Sequence, residues 1–128
     1  MVVDCDVLQA DGGTRTAALT GGFVALALAF EQLMRRGDIA LSPVIEPVAA
    51  VSVGRVGEEL LVDLCYEEDS RAELDNYLAL TASGRIVEIQ ATAEGMPFTF
   101  EELTRLHGLA ADAIGRLVEL QRRALAEA

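Results

Sequence analysis

Residues 9–19 read "QADGGTRTAAL": a polar run, Asp11-Gly12-Gly13-Thr14-Arg15-Thr16, set between a valine-rich segment and a long apolar one. Upstream, Val2–Leu8 alternates imperfectly, with Asp4 and Asp6 on one side and Val3, Cys5 and Val7 on the other, which predicts a strand. Downstream, Ala17, Leu19, Phe23, Leu26, Ala27, Phe30, Leu33 and Met34 cover most of a helical circumference, predicting a well-buried helix over about residues 16–36. Arg35 and Arg36 set cations at the negative end of its dipole, and Gly37 suits its C-terminus. The polar run is then a strand-to-helix turn. Paired glycines allow positive φ and close backbone approach, while a helix N-terminus leaves amides unpaired and partly positive. Two readings stay open. Thr14 caps the helix and Arg15 points to solvent; or the amides, a Thr14 or Thr16 hydroxyl and the Arg15 fork hold a phosphate or carboxylate. The spacing is neither a P-loop nor a dinucleotide-binding GxGxxG turn.

Asp38–Pro47 carries two of the three prolines and is the candidate boundary between two units. Val48–Val56 and Glu59–Cys65 then read as a hairpin, and Tyr77–Thr81 and Arg85–Thr92 as a second one around Ala82-Ser83-Gly84. Thr99-Phe100-Glu101-Glu102 is a capping box, followed by Leu103, Leu106, Ala110, Ile114, Leu117, Leu120 and Ala124 at helical spacing to the C-terminus. The expected class is α+β, with helices on one face of a small antiparallel sheet.

Composition narrows the function. At 128 residues and 52% apolar, the chain is large and hydrophobic enough to fold without a metal or disulfide staple. A net charge of −11, with every one of the ten cations an arginine, excludes a protein that coats nucleic acid through a basic surface. A local basic site or a partner subunit can still supply an RNA contact. One histidine and two cysteines cannot assemble a zinc site, and Cys5 and Cys65 are expected as buried thiols of a reducing cytosol. The opening residues lack a basic n-region, and the longest uncharged run, residues 16–30, is 15 residues, short of the roughly 20 that span a bilayer. A soluble, cytoplasmic chain with no membrane partner is expected. His107 is read as a surface or packing residue, and Phe23, Phe30, Phe98 and Phe100 as core aromatics or staples.

Between the hairpins, "CYEEDSRAELDNY" gathers Glu67, Glu68, Asp69, Glu73 and Asp75. Converging carboxylates can hold a hard divalent cation or act as general acid and base. On one continuous helix Asp69 and Asp75 point about 240° apart. They converge only where the chain turns from a short helix into a strand between them; otherwise the stretch is a solvated acidic loop.

Taken in order, "DCDVLQADGGTRTAALTG", "AAVSVG", "YEEDSRAELD" and "GRIVEIQATAEGMPF" resemble the second half of the ribonuclease PH family. This family comprises phosphorolytic exoribonucleases similar to polynucleotide phosphorylase and the exosome core subunits. The resemblance implies that residues 1–40 are the last strand and helix of a first RNase PH-like domain, and that 41–128 form the small C-terminal domain with its long helix. It implies a phosphate-dependent 3′→5′ exoribonuclease that trims tRNA precursors and other RNA 3′ ends and releases nucleoside diphosphates. Gly13, Thr14 and Arg15 would grip inorganic phosphate, the co-substrate. Asp69 and Asp75 would be catalytic and would hold Mg²⁺. Partners implied are RNA 3′ ends and further copies in a hexameric ring, with no DNA. Two departures stand out. The family chain is about twice as long, its first half carrying a second phosphate-binding arginine; the alternative reading is therefore a folded but inactive chain acting as an interaction module. And where the family has Thr-Asp-Met-Asn this chain has Leu74-Asp75-Asn76-Tyr77, with Ala91 in place of a favoured glycine.

Overall fold

A computed structural model describes all 128 residues. The elements run α1 (Thr14–Arg35), β1 (Val48–Val56), β2 (Glu59–Val62), α2 (Tyr66–Asp69), β3 (Leu74–Thr81), β4 (Ile86–Ala93) and α3 (Phe100–Ala126). The four strands form one antiparallel sheet in the order β2-β1-β3-β4. Both hairpins form where their glycines permit a left-handed backbone, Gly57 at φ 62° and Gly84 at φ 82°. The passage from β2 through α2 carries the chain past β1 to its other side.

Alternation along β1 and β3 sorts their side chains to two faces. Ala49, Val51, Val53, Leu74, Leu78 and Leu80 meet Leu106, Ala110, Ala113, Ile114 and Val118 of α3 in the main core. The opposite face offers Ala50, Tyr77 and Ala79 to Leu19 of α1. Helices therefore cover both faces, not one as expected, because β3 is apolar on both sides. The two helices meet beside β1, where the buried Gln121 amide donates to the carbonyls of Thr20 and Val48 at 2.9 and 3.0 Å.

Helix α3 starts as the sequence predicts. The Thr99 hydroxyl accepts the Glu102 N–H at 3.2 Å, and the Glu102 carboxylate accepts the Thr99 N–H at 2.7 Å. Phe98 packs against the core before this cap, whereas Phe100, expected inside, is 82% exposed. Helix α1 ends at Gly37, φ 78°, with the Gly37 and Asp38 N–H groups bonded to the Met34 and Leu33 carbonyls.

Three expectations fail, two of them at the N-terminal end. Residues 2–8 form no strand, because β-propensity needs a neighbour to pair with and no strand of this sheet lies beside them. They lie along α1 instead, where the Cys5 thiol donates to the Ala18 carbonyl. Helix α1 is not well buried: of its 22 residues only Thr16 is. By length, and by a mean hydropathy of 1.5 over 18 of its residues, it meets the measure of a membrane-crossing helix, which the uncharged-run criterion missed, yet one side of it packs on the sheet and on α3. Finally, the two cysteines are free but not buried: Cys5 is exposed and Cys65 half-buried.

Candidate active site

The glycine turn is built differently from a side-chain cap. Gly13, at φ 71°, is itself the N-cap, and no side chain caps the helix. Thr14 is the first helical residue; its hydroxyl donates back to the Asp11 carbonyl at 3.1 Å, and that of Thr16 to Gly13 at 2.7 Å. The helical ladder opens with the Ala17 N–H on the Gly13 carbonyl, so the amides of Thr14, Arg15 and Thr16 lie outside it. The turn sits directly on the segment entering α2. A Cβ on Gly12 would fall 1.9 Å from the Leu64 carbonyl oxygen. The Asp11 carboxylate accepts the Tyr66 N–H at 2.8 Å, the main reason its pKa lies below the ordinary range.

The acidic stretch turns as convergence requires. One turn of helix, α2, ends at Asp69; the Ala72 N–H bonds the Asp69 carbonyl, the Glu73 N–H bonds the Arg55 carbonyl, and β3 begins at Leu74. Asp75 then lies on the sheet face opposite α3. The residue is exposed, but partial desolvation of its carboxyl first, then the charges of Asp69 and Glu94, hold it above the ordinary range. The two aspartates are thus brought within electrostatic reach of each other. No group of three or more His, Cys, Asp or Glu side chains converges anywhere in the fold.

Arg15 does not point into the glycine turn; it lies across the sheet face with its side chain still 58% exposed. Its Nη2 pairs with Glu88 Oε1 at 2.6 Å, its Nη1 donates to Gln90 Oε1 at 3.1 Å, and its guanidinium lies 4.2 Å from the centre of the Tyr77 ring. The bond to Glu88 is the chief reason its pKa is raised. In the strand register Gln90 faces Tyr77 and Thr92 faces Asp75. Arg15 therefore covers the face that bears Asp75, one side-chain repeat (about 7 Å) along the strand. Gly12, Gly13, Thr16 and Asp63 open instead into a cavity of about 620 Å³ with Arg116, while Arg15, Tyr77 and Glu88 line a separate groove of about 520 Å³. The structure thus places Arg15 and Asp75 on one face with Asp69 near, but turns the Arg15 side chain away from the Gly13–Thr14 backbone. Sequence reasoning missed Asp11, Tyr77, Glu88 and Gln90. For the last two a signal existed: polar residues two apart on a strand share a face.

The departure at 74–77 has a structural meaning. Position 76 faces the α3 core, and Asn76 is fully buried there with no partner for either amide atom. Position 77 faces the site and carries the tyrosine under Arg15. Relative to the family pattern, polar and apolar character have changed sides. Ala91, the other departure, is the cross-strand partner of Asn76, so a shorter residue and an added methyl group stand opposite each other. Asn76→Leu, close in size and fully apolar, is expected to raise unfolding stability by about 1–3 kcal/mol by removing an unpaired buried amide. Urea denaturation checks this, and an unchanged midpoint would mean that the amide is satisfied.

Comparison with known proteins brings these residues into a family context. Residues 46–113, just over half the chain, match the family described as 3′ exoribonuclease family, domain 2. The chain is similar to the ribonuclease PH of Exiguobacterium sibiricum, 52% identical over 123 residues, covering 96% of this chain and 49% of that protein. It is similar to that of Moorella thermoacetica, 51% over 125 residues, covering 98% and 50%, and to that of Neisseria gonorrhoeae, 51% over 128 residues, covering 100% and 53%. The chain spans about half the length of the curated relatives it matches.

Proposed function

The chain belongs to the 3′ exoribonuclease family, and on that premise we propose that its glycine turn and paired aspartates form a site for phosphate-dependent 3′→5′ removal of nucleotides from RNA, tRNA precursors included. An oxygen of inorganic phosphate attacks the terminal phosphodiester phosphorus, the bond to the 3′-oxygen breaks, that oxygen takes a proton, and a nucleoside diphosphate leaves. Two anions must be brought together for this, against their repulsion. Arg15, with the free amides of Thr14, Arg15 and Thr16 at the start of α1, is suited to hold the phosphate. Asp75, whose carboxyl is held above the ordinary range by partial desolvation and acidic neighbours, is suited to pass a proton to the departing oxygen.

The observation that carries this reading is the placement of Arg15 and Asp75 on one sheet face with Asp69 close by. The donor set also fits Mg²⁺, which commonly takes one or two carboxylates and completes its shell with water and substrate phosphate. Asp69 and Asp75 would hold it, and it would offset the negative charge gathered at the phosphorus. For phosphate to bind, Arg15 must exchange Glu88 for it; both side chains are about half exposed, so that ion pair is weak. We assign residues 1–40 to the end of a first RNase PH-like domain and 41–128 to the second. Cytoplasmic location, a hexameric ring of copies, and the absence of DNA and membrane partners belong to the same proposal.

The test is release of nucleoside diphosphates from a 3′-tailed RNA in Mg²⁺, with and without phosphate. Arg15→Ala is expected to raise the KM for phosphate at least about tenfold, the loss of one charge-assisted contact. Unchanged phosphate dependence would remove Arg15 from the site. A second reading rests on the parting of Arg15 from the Gly13–Thr14 backbone. It is a folded chain without turnover that acts as an interaction module. A folded protein that releases no diphosphate supports it.

A further inference from the structure

Asp11 belongs to the turn expected to bind phosphate, yet its carboxylate faces the other way, onto the first N–H of the helix that ends in Asp69. Resting on the reading above, we propose that Asp11 is a positioning residue that sets Asp69, and through it the aspartate pair, relative to the glycine turn.

Helix α2 is a single turn, too short to hold itself. Its exit is fixed by the Glu73 N–H on the Arg55 carbonyl, part of the sheet. Its entry is held locally by a capping box, in which the Glu68 carboxylate accepts the Cys65 N–H at 3.0 Å and the Cys65 side chain accepts the Glu68 N–H. Upstream, the Asp63 N–H ties the entering segment to the Ser52 carbonyl of β1. Into the helix itself, Asp11 reaches the Tyr66 N–H from 55 residues away. Gly12 makes that reach possible, since any side chain there would collide with Leu64 and Cys65. The Thr14 hydroxyl, bonded to the Asp11 carbonyl, holds the turn's own shape. One short segment thus carries two duties: its far end faces the phosphate and its near end fixes the carboxylates. A negative charge also suits the partly positive start of α2.

Removing the carboxylate frees the start of α2 while leaving the sheet and both long helices intact. Mn²⁺ serves as the probe, its binding followed by electron paramagnetic resonance on the complete chain. Asp11→Ala is expected to weaken Mn²⁺ binding at least about fivefold with the thermal midpoint within a few degrees of wild type. Asp11→Asn, which keeps an acceptor oxygen, is expected to stay within about twofold of wild type. Because Asp11 acts through Asp69, the Asp11→Ala/Asp69→Ala double variant is expected to bind no more weakly than Asp69→Ala alone. An Asp11→Ala protein with wild-type affinity, or full additivity in the double variant, overturns the proposal. Asp69→Ala with wild-type affinity instead overturns the metal assignment beneath it, and a wild-type chain that binds no Mn²⁺ overturns both.

Discussion

The Asp75→Asn protein is expected to lose phosphorolytic turnover by about 10²–10⁴-fold, the range for removal of a positioned acid, and to be more stable than wild type at neutral pH. Both effects have one cause. Partial desolvation of the carboxyl, Asp69 and Glu94 raise the Asp75 pKa above its ordinary 3.8, so folding works against the ionised form, by a margin that the exposure of the residue keeps small. The stability contribution of a raised carboxyl pKa is present in full below the unfolded value. It is lost as pH rises through the folded value. Asparagine resembles the protonated acid and does not ionise. The advantage of Asp75→Asn over wild type should therefore be negligible below pH 3.8 and grow as pH rises through the folded pKa of Asp75. Urea denaturation at several pH values, beside the diphosphate assay, measures both. A pH-independent difference would remove the electrostatic account, and a wild-type rate would remove Asp75 from the chemistry.

Gly12→Ala is expected to be the most damaging single methyl group in the chain. Its Cβ would lie 1.9 Å from the Leu64 oxygen, 2.8 Å from the Cys65 carbonyl carbon and 2.9 Å from the Cys65 Cα. All three are backbone atoms, so no flexible side-chain end can yield. Overpacking of this kind typically costs about 1–3 kcal/mol, and here the turn must also lift from α2. Gly21→Ala is the control. Nothing lies within 4 Å of its Cβ position, and inside α1 alanine is favoured by about 0.5–1 kcal/mol. The urea midpoints of the two variants should move in opposite directions; a Gly12→Ala protein with the wild-type midpoint would show that the turn is not seated there.

What the sequence disclosed follows the range of each interaction. The capping box at Thr99 and Glu102, the α3 stripe as far as Leu117 and the glycine turns of both hairpins involve neighbours a few residues apart, and all are present. Past Leu117 the buried face runs through Val118 and Gln121 and leaves Leu120 and Ala124, expected in the stripe, exposed. Val2–Leu8 had a strand's composition, but pairing depends on what lies beside it. The apolar circumference of α1 promised burial, but no pattern within a helix says how much of the chain comes to cover it. At the site, Asp69 and Asp75 were named from a resemblance, and the turn between them was only a condition. Arg15 on Glu88 and Gln90, and Asp11 on Tyr66, join residues 73, 75 and 55 positions apart, a distance at which local pattern carries no information. Thr14 shows a smaller error: a residue suited to capping stands one place too late, because Gly13 already holds the left-handed conformation that starts the helix.

The open flank of α1 alters how the native molecule behaves toward hydrophobic dyes. Over 18 of its residues the helix has a mean hydropathy of 1.5, and only one residue of it is buried, so its half-buried apolar side chains keep part of their surface in water in the fully folded state. Anilinonaphthalene-type fluorescence, ordinarily a sign of loosened packing, would therefore report the native fold itself. Dye-based melting curves would begin bright and lose contrast. Since the chain has no tryptophan, far-ultraviolet circular dichroism is the signal by which the stabilities of these variants should be compared.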